Sequence, residues 1–195
     1  MRKITAGLFI TLDGVVESPD RWTGPYFHPR VGAWIGSIMG AADAMLIGRV
    51  QYEEFAAYWP QQTGSMADVM NGTPKYVVSN TLERLEWQNC TLVAGDVLAQ
   101  VEGLKEASGR NIGITGSRTL VASLLEAGLI DELNLCVVPI VLGQGKRLFD
   151  GSRKPVNLEL AACESLDNGV VLLTYLPKAA AGAASEDPAP AAVSA

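Results

Sequence analysis

The sequence predicts a three-layer α/β domain whose central sheet is mainly parallel and ends in an antiparallel C-terminal edge. Three observations carry that prediction. Eight short apolar runs, rich in β-branched residues, alternate with segments of helical period. Several runs are apolar on consecutive positions, which suits strands buried on both faces. The last two runs are joined by a short polar connection instead of a helix.

The chain opens on the strand KITAGLFI, too short to span a membrane and without the cleavage pattern of a signal peptide. A cytoplasmic protein with no membrane partner is the expectation. Pro29 to Ala41 reads as the first helix, with His28 as its opening residue. AMLIG is the second strand, and Val50 to Tyr58 is a helix with Tyr52, Phe55 and Trp59 on one side. KYVVS and CTLVA follow as strands. Asp96, preceded by Gly95, caps a helix from Val97 to Ala107. NIGIT is the fifth strand. Ser117 to Ala127 then presents Leu120, Val121, Leu124 and Leu125 on one face, and Gly128 stops it. LNLCVV is the sixth strand. VNLELAA and VVLLTYL form a hairpin around Asn168-Gly169. The β-α-β alternation implies right-handed crossovers and a sheet covered on both faces.

Composition excludes some partners. With 48% hydrophobic residues and a formal charge of −6, the chain has a core's worth of apolar residues but no basic surplus for nucleic acid. A local basic pocket for a small anion stays open. Cys90, Cys136 and Cys163 form no CxxC pair and sit in strand-like surroundings, so they read as reduced core residues. The single histidine, His28, has no ligand-spaced Cys or acid, and no metal is expected. From residue 179 the composition shifts to AAAGAASEDPAPAAVSA, which offers little to pack. Residues 1–178 are therefore the expected domain and 179–195 an expected disordered tail.

The chemistry is expected at turns that leave strands. Thr115, Gly116, Ser117, Arg118 and Thr119 stand between a buried strand and the start of a helix. Free backbone N–H groups and the positive end of the helix dipole suit an anion there. A capped helix after a strand is the plain alternative. Gly48 and Arg49 repeat the arrangement after AMLIG, with an ordinary surface arginine as the alternative. Ser79, Asn80 and Thr81 leave KYVVS with hydroxyl and amide donors and no carboxylate. Neutral donors at that position suit a 2′-phosphate, where an acid would suit the hydroxyls of NAD. In open α/β sheets, ligands bind at the carboxyl edge to which all three turns belong.

The ordered set TLDG, AMLIGR with YEEF, KYVVSNTL, ITGSRTL, LLEAGLIDEL and PIVLGQGKRLF resembles the dihydrofolate-reductase-like superfamily. Within it, the chain is most similar to the reductase domain of the bifunctional deaminase/reductase of riboflavin biosynthesis, over Arg2 to Leu176. The resemblance implies a dihydrofolate-reductase-like fold, NADPH as cofactor, hydride transfer to a small-molecule substrate and a homodimer. The activity implied is like that of 5-amino-6-(5-phosphoribosylamino)uracil reductase. It also implies roles: Gly48 and Arg49 at the cofactor phosphates, and Ser79, Asn80 and Thr81 by the 2′-phosphate. Gly116, Ser117, Arg118, Thr119 and Leu120 would hold the pyrophosphate, and Asp13 and Gly14 would lie beside nicotinamide and substrate.

The chain departs from that pattern at two places. Thr115 stands where the family often has glycine, and Gln51 where it often has threonine. No HxE with PCxxC is present, so the deaminase chemistry is absent. Dihydrofolate reductases anchor the pterin with an acid on the first helix, and PRVGAWIGSIMGAAD has none before Asp43. Asp13 is then the candidate catalytic residue, as substrate contact or general acid, with capping of the Asp13-Gly14 turn as its other role. Glu17 reads as a solvated loop residue. Trp22, Tyr26, Phe27 and Trp34 either stack on a planar heterocycle or pack locally. Lys146 and Arg147 either bind a phosphorylated substrate or remain surface charges.

Overall fold

A computed structural model describes residues 1–151 and 154–178. Along β1 (Ile4–Thr11), residues facing either side are buried, as the uninterrupted apolar run requires. The other strands are β2 (Ala42–Gly48), β3 (Lys75–Val78), β4 (Cys90–Val93), β5 (Asn111–Ile114), β6 (Glu132–Val138), β7 (Leu158–Ser165) and β8 (Val171–Pro177). They form one eight-stranded sheet in the order β4-β3-β2-β5-β1-β6-β8-β7. The first six in that order run parallel; β8 runs against β6 and β7. This is the mainly parallel sheet with an antiparallel C-terminal edge expected from sequence.

Helices cover both faces. One layer packs Val101 of α4 (Val97–Glu106) and Leu120, Val121, Leu124 and Leu125 of α5 (Arg118–Glu126) on Ile4, Ala6, Leu8 and Ile10 of β1. Full burial of such side chains contributes about 1.5–3 kcal/mol each. The opposite face carries α1 (Pro29–Ala41), α2 (Arg49–Tyr58) and α3 (Ser65–Gly72). Val31 of α1 packs with Cys136 and Val138, and Tyr52 and Met70 pack with Met45, Ile47 and Val77.

Capping chemistry sets the helix ends. His28 opens α1 by accepting a hydrogen bond from the Arg30 N–H at its Nδ1, and Asp96 caps α4 through the Ala99 N–H. The Asn168-Gly169 turn closes the β7–β8 hairpin, with the Val170 carbonyl accepting from the Leu166 N–H.

Four features differ from the sequence reading. The helix α3 lies where no element is expected, and its eight residues SMADVMNG bury only Ala67 and Met70. It is also anchored by Lys75, whose buried Nζ donates to the carbonyls of Met70, Asn71 and Thr73. The helix α5 starts one residue late, since Ser117 adopts a left-handed conformation ahead of it. Strand β7 is bare at the sheet edge, with Leu160 50% exposed, so its apolar run does not mark two-sided burial. Cys136 alone among the cysteines is buried; Cys90 is half-buried and Cys163 exposed on that edge strand. The tail expected from residue 179 lies outside the described residues.

Candidate active site

The strand order decides which loops meet. Strands β3, β2, β5, β1 and β6 are consecutive neighbours and parallel, so the turns leaving them share one edge. At about 4.8 Å per strand spacing, the Ser79 and Gly116 turns stand roughly 10 Å apart, with the Gly48 turn between them.

The two central turns interlock. A Cβ on Gly48 would come within 2.5 Å of Ser117 Oγ, and one on Gly116 within 2.7 Å of the Gln51 Nε2. Gly48 has an ordinary extended backbone (φ −84°), so its requirement is space. Ser117, by contrast, holds φ 62°, a conformation unusual for a residue with a side chain and common at functional turns. No side chain caps the first turn of either α2 or α5. Both helices therefore present uncapped N–H groups and positive dipole ends at the same place.

Arg49 begins α2 and its guanidinium pairs with Glu53 at 2.9 Å on the exposed face. Arg118 and Thr119 begin α5 and line a cleft of about 400 Å³ with Ala122, Ser123, Glu126, Asp150 and Gly151. Leu120 is buried in the core, so only its backbone is available to a ligand.

The third turn is largely self-satisfied. Ser79 is buried, and its Oγ accepts from the N–H groups of Thr81 and Leu82 at 3.1 Å. Asn80 Oδ1 accepts from the Gly95 N–H at 2.9 Å and ties this turn to the one after β4. Asn80 and Thr81 are exposed residues, and the Thr81 hydroxyl lies 3.3 Å from Ser79 Oγ.

Asp13 lies where β1 ends, and its carboxylate is fully engaged. Oδ1 accepts from the Thr11 hydroxyl at 2.6 Å and the Leu142 N–H at 3.2 Å; Oδ2 accepts from the Gly143 N–H at 2.9 Å. Arg147 donates from Nε to the Asp13 carbonyl at 2.7 Å, with Nη2 3.4 Å from Oδ2. The Thr11 hydroxyl foremost, then the two backbone donors against an opposing burial effect, pull the Asp13 pKa down to about 2. At neutral pH it is a carboxylate with no proton to give. Its observed work is to bind the loop after β6 to the loop after β1. Gly14, also expected beside the substrate, accepts at its carbonyl from the Leu148 N–H and packs along the Arg147 stem.

Several partners are not visible in sequence. Glu17 is a loop residue with its side chain 39% exposed, and it also pairs with Lys146 at 2.7 Å, a hydrogen bond that lowers its pKa. Lys146 and Arg147 thus answer Glu17 and Asp13, one ion pair each across the same two loops. Of the aromatics, Trp22 is buried with its Nε1 donating to the Glu17 carbonyl, and Trp34 packs edge-on against Phe9 at 6.2 Å. Tyr26 joins that cluster, while Phe27 stays exposed. Gln51 donates from Nε2 to Thr115 Oγ1 at 3.1 Å, a link between residues 64 positions apart. Asp43, the first acid after α1, sits at the opposite end of β2 and pairs with Arg2. No helix among the described residues is long and apolar enough to cross a membrane, and none of their His, Cys, Asp and Glu side chains cluster in threes fit for a metal.

Comparison with known proteins agrees with this architecture. The Bacillus subtilis (strain 168) protein YyaP is 28% identical over 182 residues, covering 89% of this chain and 94% of its own. A Shewanella sp. PV-4 protein assigned to riboflavin biosynthesis superposes with a TM-score of 0.72 at 22% identity, over 92% of this chain and all of its own. Dihydrofolate reductase from Enterococcus faecalis, solved with NADP(H), superposes at 0.64 with 13% identity, over 91% and 97% of the two chains. These two structures share the fold. The family model of the RibD C-terminal domain matches residues 2–172. The chain belongs to the RibD C-terminal domain family.

Proposed function

We propose that this chain is an NADPH-dependent reductase of a small heterocyclic or carbonyl-type substrate, of the class of the riboflavin-pathway uracil reductase. The observation that carries this reading is the pair of interlocked turns at Gly48 and Gly116, where two uncapped helix starts face one edge of the sheet. Backbone donors and dipole ends aimed at one point suit a pyrophosphate and fit no cation.

The cofactor, when bound, supplies the hydride. The chain's residues bind and orient it. The N–H groups of Gly116, Ser117, Arg118, Thr119 and Leu120 take the pyrophosphate, with Gly48 and Arg49 completing the phosphate contacts. The Thr81 hydroxyl and Asn80 amide face the 2′-phosphate, while Ser79 holds their turn in shape. Asp13, ionised and occupied, acts as a positioning residue that closes the loops around the substrate. The proton that accompanies the hydride then comes from solvent. A homodimer in the cytoplasm is part of the same reading, and the bare outer strand β7 supports the dimer.

A second reading, nucleotide binding without turnover, is favoured by that same Asp13 and by the lack of any acid in α1. Calorimetric titration with NADPH, followed by absorbance at the reduced-nicotinamide band over a panel of pyrimidine and carbonyl substrates, separates the two. Binding with oxidation supports the reductase. Binding with none across the panel supports the second reading, and no binding of NADPH or NADH removes both.

A further inference from the structure

We infer that Gln51 and Thr115 act as one clamp that positions the phosphate turn, so that cofactor affinity depends on their pair and not on either alone. The inference rests on the NADPH-binding reading and deepens it. Thr115 directly follows β5 and leads into Gly116, the centre of the turn that precedes α5. Gln51 lies in the first turn of α2, and its amide fills the space a Cβ on Gly116 would need, at 2.7 Å from Nε2 and 3.0 Å from Oε1. That same Nε2 donates to Thr115 Oγ1 at 3.1 Å.

Gln51 Oε1 is buried and has no hydrogen-bond partner. The bond to Thr115 is therefore the single polar restraint seen on the Gln51 amide among the described residues. Remove the Thr115 hydroxyl and the amide keeps no directional partner; remove the amide and Gly116 loses the group packed against its Cα. Either change frees a turn whose next residue, Ser117, already sits at φ 62°. A left-handed residue with a side chain keeps that geometry only while its surroundings impose it. The two positions where this chain departs from the family pattern thus touch each other, and each supplies what the other needs.

The experiment is a double-mutant cycle on the full chain: Gln51→Ala, Thr115→Val, both together, and Thr115→Ser as the conservative control. Calorimetry reads NADPH and NADH dissociation constants, and thermal unfolding is followed in parallel. Each single variant is expected to weaken both cofactors by about fivefold to tenfold, the range set by one hydrogen bond. The double variant is expected to be no weaker than the worse single one, and Thr115→Ser to bind like wild type. Equal losses for NADPH and NADH with an unchanged unfolding midpoint assign the effect to the shared pyrophosphate, whereas equal losses that follow a lowered midpoint overturn the clamp in favour of a general loss of stability. Additive losses, or singles that bind like wild type, overturn the clamp while leaving NADPH binding intact. Wild type that binds neither cofactor overturns the clamp together with the reading beneath it. If Gln51→Ala fails to fold, Thr115→Val against Thr115→Ser still decides: equal affinities overturn the clamp.

Discussion

Ser117 Oγ occupies space that leaves no room for a β-carbon on Gly48, which would lie 2.5 Å away. The Ser117 Cβ would be only 2.7 Å from it, so rotating the hydroxyl gives no relief. Gly48→Ala must push the two turns apart. We expect a stability loss of about 1–3 kcal/mol, the usual cost of overpacking. We also expect NADPH and NADH to weaken together by tenfold or more. Calorimetry and chemical denaturation check both; an alanine variant that binds like wild type would show that the turns need not touch.

Arg49 gives a different signature. Its present partner, Glu53, is on the same exposed helix face one turn away, and such pairs contribute only ~0.3–0.5 kcal/mol. Arg49→Ala should therefore leave the melting temperature almost unchanged. A guanidinium on the pyrophosphate lowers NADPH and NADH affinity alike by about tenfold, as expected for a charge-assisted bond, whereas one on the 2′-phosphate lowers NADPH affinity alone. Equal, slight losses for both cofactors would remove Arg49 from the site.

Asp13 makes acid stability site-specific. Its pKa falls from an ordinary 3.8 to about 2 in the fold, so the folded state favours the carboxylate. That contribution is complete above about pH 4 and is lost as pH falls through about 2. Asp13→Asn keeps the size of the side chain but removes the charge that Thr11, Leu142 and Gly143 face. Its unfolding midpoint should be lower than wild type at pH 7, with the gap closing between pH 4 and 2. A gap that is constant across that window would mean the carboxylate's charge is not what binds the loops.

Lys75 is nearly inaccessible, with 1% exposure, and lies 4.1 Å from the centre of the Trp87 ring. Burial pushes its pKa down, yet three carbonyls accept from its Nζ. Lys75→Met fills the space but leaves those carbonyls without a donor, at a cost of about 1–3 kcal/mol. The midpoint of thermal unfolding should drop, by roughly 2–4 °C per kcal/mol for a chain of this size. Cofactor affinity should stay near the wild-type value, because α3 lies outside the edge that carries the turns. An unchanged midpoint would show that water replaces the ammonium.

How much of this was legible in the chain follows from the range of each interaction. Strand β1, the α5 stripe of Leu120, Val121, Leu124 and Leu125, and the Asn168-Gly169 hairpin are local patterns of period and turn chemistry, and the structure carries them as read. The candidate turns were legible for the same reason, since glycine and hydroxyl residues after an apolar run mark a strand end. The helix α3 was not, because its buried face is only Ala67 and Met70 and a lysine beyond its C-terminus completes its anchoring. Cys163 was misread as a core residue because an apolar run cannot say whether a neighbouring layer exists.

By itself, the order of residues determined the alternation of elements, a net charge of −6 and the identity of the turns at the carboxyl edge. Only the tertiary structure decided that Gln51 meets Thr115, that Ser117 nests against Gly48 and that Asp13 is occupied by Leu142 and Gly143. Those contacts join residues 64, 69 and about 130 positions apart. Their existence depends on strand order, because inserting β5 between β2 and β1 is a choice made by the packing of the whole sheet. No local rule of period or propensity can state it.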